Sequence, residues 1–254
     1  MKIGIIGLGR LGSALARGLA RTGRGSAIVA CNRSAAKAEA VAREVPDLHL
    51  GRSPADVLRA CDLVFLWTKP ADAAPVLEEN QELIRERRPL LVSCAPGVPL
   101  ARFTARWAET LPNVALATGH GVTAVAYAPT LDKADRKLVH DTLAAVGTVY
   151  ELPVEEIPFY SALGSCGPAL YATMTELLAD TLAAHRGYHR NLCRRMVRET
   201  VLGTALLQEA DSADAAEIVR RVAHPGGPSA AGVAQLRESL PAVYELMLQQ
   251  MGKW

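Results

Sequence analysis

The chain has 254 residues, 50% of them hydrophobic, and a formal net charge of +2. That length holds one large or two modest domains with a real buried core. So small a charge imbalance gives no argument for a nucleic acid or an anionic membrane surface as partner.

The opening "MKIGIIGLG" reads directly as a buried strand, "KIGIIG", so no leader is expected ahead of it. Helical periods at Leu11–Thr22, Ala35–Glu44 and Pro54–Ala60 alternate with the apolar runs "AIVACN", "DLVFLWT", "PLLVSCA", "VALAT" and "GTVYELP". Such alternation predicts an α/β fold built on a doubly wound parallel sheet. From Pro168 onward only helical periodicity remains, over Ala169–His185, Asn191–Ala210, Ala213–Val222 and Ser229–Met251. "GSCG" supplies the cap of the first of these helices, with Pro168 in its first turn. "HRGYH" and "AHPGGPS" punctuate the helices, and Pro241 interrupts the last. The chain is therefore divided into residues 1–153, of alternating strands and helices, and residues 154–254, an all-α domain. Roughly a hundred residues of apolar helices make a thin core alone. A second copy is expected against them, giving a homodimer or a larger homo-oligomer built on dimers.

The five cysteines, Cys31, Cys61, Cys94, Cys166 and Cys193, are scattered and show no metal spacing. No metal site is expected, and reduced thiols in a cytoplasm fit best. No apolar run approaches the length of a membrane span.

Two stretches carry the cofactor argument. "GIIGLGRLGSALARGL" puts Gly7, Gly9 and Gly12 in G-x-G-x-x-G spacing between a strand and a helix. Gly7 makes the tight turn, Gly9 admits a pyrophosphate to the backbone, and Gly12 allows close helix packing. Arg10 and Leu11 complete the loop, and the helix N-terminus attracts the anion. The alternative is a purely structural turn. The second strand ends in "CNRSAAK", where a site for NAD would place Asp or Glu on the ribose 2′-hydroxyl. Asn32, Arg33, Ser34 and Lys37 suit a 2′-phosphate instead, with forked guanidinium bonds from Arg33, a hydroxyl from Ser34 and further charge from Lys37. The alternative there is a solvated helix start, and NADPH is the cofactor read from these residues. "LWTKP" and "SCAPGV" follow the third and fourth expected strands. They put Thr68, Lys69, Pro70, Ala95 and Gly97 at the carboxyl edge, where open sheets meet ligand.

These stretches, with "LGSCGPALYATMTELLADTLAAHRG", "ETVLGTALL" and "HPGGPSAAG", resemble the pyrroline-5-carboxylate reductase family. The resemblance implies a Rossmann domain binding NADP, followed by a helical dimerisation domain. It also implies reduction of the cyclic imine 1-pyrroline-5-carboxylate to L-proline in a cleft shared by two subunits. In the family a Gly-Gly-Thr-Thr turn offers backbone N–H groups to the substrate carboxylate and a hydroxyl to the ring nitrogen. Gly226 and Gly227 match its glycines; Ser229 keeps the hydroxyl, while Pro228 removes one N–H. Ser165 and Gly167, at the other helix start, are second candidates, and both turns also read as simple helix caps. His224 replaces a serine of the family and also reads as a surface residue; Cys166 has no His–Asp partner in its motif.

The chemistry can be weighed apart from the name. Reduction of a ketone builds an alkoxide and needs a strong proton donor such as Lys or His. "GPALYATMTELLADTLAA" contains neither. Hydride addition to a protonated imine removes charge and needs orientation, a hydroxyl and a carboxylate anchor.

The family's Arg-x-Met-Pro-Asn-Thr-Pro segment is altered here. One alignment matches Pro112 and Asn113 to Pro-Asn, at the expense of the preceding strand. The other, favoured because an interior strand is harder to lose than a loop, keeps "VALAT" as that strand. In both, Thr-Pro is absent and His120 replaces Glu, so the pocket wall is expected to be reshaped. An imine reductase acting on a different, secondary-metabolite ring and a catalytically idle NADP-binding paralogue stand as the alternatives.

Overall fold

The structure, a computed structural model, describes residues 1–45, 47–95, 97–211 and 214–251. Pro96, in the expected Ser93–Val98 loop, and Ala213, an expected helix start, lie outside the described residues. The chain divides into two compact units, Met1–Pro168 and Ala169–Trp254.

The first unit contains strands β1 (Ile3–Ile6), β2 (Ile28–Cys31), β3 (His49–Leu50), β4 (Leu63–Leu66), β5 (Leu90–Ser93), β6 (Trp107–Pro112), β7 (Gly121–Tyr127) and β8 (Gly147–Glu151). They form one sheet in the order β3-β2-β1-β4-β5-β6-β7-β8. Every pairing is parallel except β6 with β7. Its helices are α1 (Arg10–Arg21), α2 (Ala35–Glu44), α3 (Pro54–Ala60), α4 (Pro70–Glu79), α5 (Gln81–Arg87), α6 (Lys133–Ala144) and α7 (Ile157–Tyr160). β1, β2, β4 and β5 are buried on both faces, which is why they read as unbroken apolar runs. Leu15 and Leu19 of α1, Val41 of α2 and Val139 of α6 cover one face against Ile5, Phe65 and Val92. Val57 of α3, Leu77 of α4 and Ile84 of α5 cover the other against Ile6, Val64 and Leu91. The α/β, doubly wound reading therefore holds.

One expectation is corrected. "VALAT" is a 3-10 helix, Val114–Thr118, and the sheet strand in this region is β6, "WAETLP". The Asn113 side chain accepts from the Ala115 N–H to start that turn, and Gly119 ends it at φ +83°. Leu116 is fully buried, and a Cβ on Gly18 of α1 would come within 2.2 Å of its carbonyl oxygen. The apolar run thus packs on a helix and never enters the ladder. β6 is pinned before its first residue: Arg106 forks onto Asp135 of α6 at 2.7 and 2.6 Å and donates to the Arg88 carbonyl at 2.6 Å. The strand before Asn113 is present as β6, so matching Pro112 and Asn113 to Pro-Asn loses no strand.

α8 (Gly167–Arg186) leads from the first unit into the second, which continues with α9 (Arg190–Asp211), α10 (Ala215–Val222) and α11 (Pro228–Met251). α11 continues through Pro241 rather than stopping there. Arg190 and Arg194 of α9 pair with Asp180 and Glu176 of α8. Among the described residues, Ala179, Ala183, Cys193 and Val197 form the buried apolar cluster of this unit. Leu177, Leu202 and Leu246 stand 62%, 59% and 58% exposed.

Candidate functional site at the carboxyl edge of the sheet

β1 is flanked by β2 on one side and β4 on the other, and the chain order reverses there. Ligands of open parallel sheets settle at the carboxyl ends of the strands at such a point. Gly7, just past β1, has φ +103°, and a Cβ on it would fall 2.7 Å from the Trp67 carbonyl oxygen and 3.1 Å from the Thr68 methyl. Gly12 is equally constrained, because its Cβ would meet the Gly7 oxygen at 1.9 Å. Gly9 differs: nothing lies within 4 Å of its Cβ position. Two glycines are thus required by packing, and the third opens on free space. Gly9 also begins α1, and no side chain caps that helix start. The leading N–H groups of Arg10, Leu11 and Gly12 therefore have no side-chain cap at the positive end of the helix dipole.

Asn32 has a role that its sequence position did not specify. Its Oδ1 accepts from the Leu8 N–H at 3.0 Å, and its Nδ2 donates to the Ser34 carbonyl at 3.1 Å. It braces the glycine loop against the start of α2. Ser34 is the N-cap of α2, yet its hydroxyl makes no cap bond, and Lys37 is exposed one turn later. Arg33 pairs with Asp72 in the first turn of α4, Nη1 to Oδ1 at 2.7 Å, while its side chain stays 82% exposed.

At the ends of β4 and β5, Thr68 donates to the Lys69 carbonyl at 3.3 Å. Exposed Lys69 is the N-cap of α4, and Pro70 is that helix's first residue. Ala95 is buried and donates its N–H to the Ser93 hydroxyl at 3.0 Å. Gly97 turns at φ +78° with nothing within 4 Å of its Cβ position. The Cys94 thiol is pushed up to about 12 by burial, and burial with the charge of Asp56 does the same to Cys31. Burial thus disfavours the thiolate form of both.

The sequence reading missed Asn113 as a site residue. Its buried Nδ2 donates to the Gly164 carbonyl at 3.1 Å, while Oδ1 accepts from Ala115 and Val122 at 3.0 and 3.4 Å. One side chain thus ties the β6–β7 connection to the π-helical turn Ser161–Ser165 that precedes α8. Gly164 is forced by packing, since a Cβ there would meet the Tyr160 ring at 2.2 Å. Half-buried Ser165 ends this turn, and buried Gly167 is the first residue of α8. The signal for it in the sequence is the match of Pro112 and Asn113 to the family's Pro-Asn.

Ser165 and Gly167 belong to the first unit, Gly226, Gly227 and Ser229 to the second. Gly226 turns at φ +76°, and the Gly227 N–H donates to the His224 carbonyl at 3.0 Å. α11 begins at Pro228, with Ser229 and His224 exposed. Among the described residues no group of three or more His, Cys, Asp or Glu side chains could hold a metal ion. No helix there is long and apolar enough to cross a membrane.

Residues 2–97 match the family model described as NADP oxidoreductase coenzyme F420-dependent. Residues 155–251 match pyrroline-5-carboxylate reductase dimerisation, a domain that assembles like chains. Pyrroline-5-carboxylate reductase of Aquifex aeolicus (strain VF5) is 25% identical over 244 residues, 94% of this chain and 89% of that protein. A pyrroline-5-carboxylate reductase from Coxiella burnetii superposes with a TM-score of 0.85 at 24% identity, covering 98% of this chain and 93% of that one. Plasmodium falciparum pyrroline carboxylate reductase, solved with NADP bound, gives 0.80 at 24%, over 97% and 93% of the two chains. These structures share the fold. The dimerisation match and the likeness along almost the whole chain make this chain similar to pyrroline-5-carboxylate reductases.

Proposed function

We propose that the protein is an NADPH-dependent reductase of a cyclic imine carboxylate, converting 1-pyrroline-5-carboxylate to L-proline. What carries the reading is the likeness to pyrroline-5-carboxylate reductases over 244 residues, spanning the nucleotide loop and the helical unit alike. The glycine loop fits the cofactor, with Gly9 open and α1 uncapped. Bound NADPH supplies a hydride to the ring carbon of the C=N bond.

The chain's own residues then have separable tasks. Backbone N–H groups of Arg10, Leu11 and Gly12 hold the pyrophosphate, and Arg33, Ser34 and Lys37 take the 2′-phosphate. Thr68, Lys69, Pro70, Ala95 and Gly97 line the remainder of the nucleotide path. Gly226 and Gly227 present the start of α11 to the substrate carboxylate, and Ser229 sets a hydroxyl near the ring nitrogen. Ser165 and Gly167 are the second candidates for these contacts. No strong acid is required, because hydride addition discharges an iminium. In this reading residues 1–153 bind nucleotide, residues 154–254 bind substrate and a second subunit, and the enzyme is a cytoplasmic homodimer of proline biosynthesis.

A second reading, reduction of a different cyclic imine, rests on one observation. The Val114–Thr118 turn and His120 stand where the family has Thr-Pro and Glu. NADPH consumption with pyrroline-5-carboxylate, pyrroline-2-carboxylate and piperideine carboxylates separates the two. Turnover of the first is expected; turnover of another ring in its place overturns the substrate, and silence with all, despite tight NADP binding, overturns the reductase.

A further inference from the structure

We propose that Asp72 is a specificity-determining residue that competes with the cofactor's 2′-phosphate for Arg33 and so moderates the preference for NADP over NAD. The inference rests on the reading of Arg33 as the phosphate ligand. Arg33 follows β2 and Asp72 lies in the first turn of α4, which follows β4; these strands flank β1 on opposite sides. Their ion pair, 2.7 Å from Nη1 to Oδ1, therefore joins the two sides of the nucleotide crevice next to the glycine loop.

The charges around this pair set the direction of the effect. Arg33 is 82% exposed and Asp72 36%, so the pair is solvated and readily broken. Asp72 also suits the N-terminal end of α4, where the helix dipole favours a carboxylate in any case. A phosphate arriving at Arg33 must replace a carboxylate already there or share the guanidinium with it at close range, and like charges repel. NAD carries no anion at that position, so it leaves the pair intact and binds without this penalty. The Ser34 hydroxyl, which makes no cap bond, and exposed Lys37 add contacts for a phosphate but give nothing to Asp72. Asp72 thus acts on one cofactor and not on the other.

The test is isothermal titration of the full-length protein with NADP and NAD. Wild type, Asp72→Asn, Arg33→Ala and the double variant are compared, each with its thermal unfolding midpoint. Asp72→Asn should tighten NADP by about fivefold, the worth of an exposed ion pair near the top of its usual range. It should leave NAD unchanged, and the gain should vanish in the Arg33→Ala background. An unchanged or weakened NADP affinity in Asp72→Asn overturns the competition while leaving Arg33 as phosphate ligand, provided Arg33→Ala still loses NADP selectively. An equal gain for both nucleotides, or a gain that persists without Arg33, also overturns it. Equal losses of NADP and NAD in Arg33→Ala remove the phosphate from Arg33 and the present inference with it.

Discussion

Gly9 and Gly12 are three residues apart in one motif, yet they are glycines for different reasons, and substitution separates them. A Cβ at Gly12 would sit 1.9 Å from the Gly7 oxygen, so the loop must move to accept it. Gly12→Ala should cost about 1–3 kcal/mol of stability by overpacking. Gly9 has nothing within 4 Å of its Cβ position, and Gly9→Ala should leave the thermal midpoint almost unchanged while weakening NADP binding at least tenfold, roughly the loss of one charge-assisted bond. Parallel unfolding and calorimetry decide the matter; an alanine at 9 that lowers the midpoint but not the affinity would assign Gly9 to packing. Glu109 poses a different single-residue problem. It is half-buried on β6, and burial raises its carboxyl above the ordinary value of 4.5. The folded protein then holds the proton more tightly than the unfolded chain. That stability is fully present below 4.5 and is lost as pH rises through the raised pKa. Glu109→Gln should therefore raise the melting temperature at neutral pH, and the advantage should disappear as pH falls below 4.5. A gain of equal size at both pH values would mean that burial of the charge is not its source.

At the scale of elements, the connection between β6 and β7 is held by one side chain. Asn113 ties both ends of this connection to the turn before α8 through bonds at 3.0, 3.4 and 3.1 Å. Asn113→Ala leaves the buried Gly164 carbonyl without that donor, at a cost of about 1–3 kcal/mol. Because Ser165 rides on the tethered turn, the same variant should also lower kcat with little change in NADP affinity. A stability loss with full turnover would confine Asn113 to structure. This region also marks the limit of what the sequence discloses. β1, β2, β4 and β5 are buried on both faces, so composition alone locates them. β6 alternates half-buried with buried positions and carries Glu109 and Thr110, whereas its neighbour Val114–Thr118 is an unbroken apolar run that packs on α1. Apolar content favoured the wrong segment; the decisive signals were the capping Asn113 and the left-handed Gly119. The glycine loop was legible because strand, turn and helix are consecutive. The Arg33–Asp72 pair was not, since its partners are 39 residues apart and meet only through sheet order.

At the scale of the molecule, the helical unit buries little apolar surface of its own among the described residues. Its buried apolar cluster among the described residues consists of Ala179, Ala183, Cys193 and Val197, two of them alanines. Leu177 and Leu178 of α8 and Leu202 and Leu206 of α9 are exposed instead. The ion pairs of Arg190 and Arg194 with α8 are exposed to solvent and screened, so they add little. An obligate interface between two chains covers upwards of about 2,000 Å² and resembles a domain core cut in half, which matches apolar side chains of this number and distribution. Folding and association are then linked, and the melting temperature of the wild-type protein should rise with protein concentration. Leu177→Glu together with Leu202→Glu would place two carboxylates in a desolvated interface. Sedimentation velocity should show monomers for this variant, and circular dichroism a loss of helix confined to the C-terminal unit. The nucleotide loop belongs to a unit with its own core, so NADP titration should still give binding, with turnover abolished if the cleft is shared between subunits. A variant that keeps the wild-type mass would place the interface elsewhere, and a concentration-independent melting temperature in the wild type would show that the helices are stable without a partner.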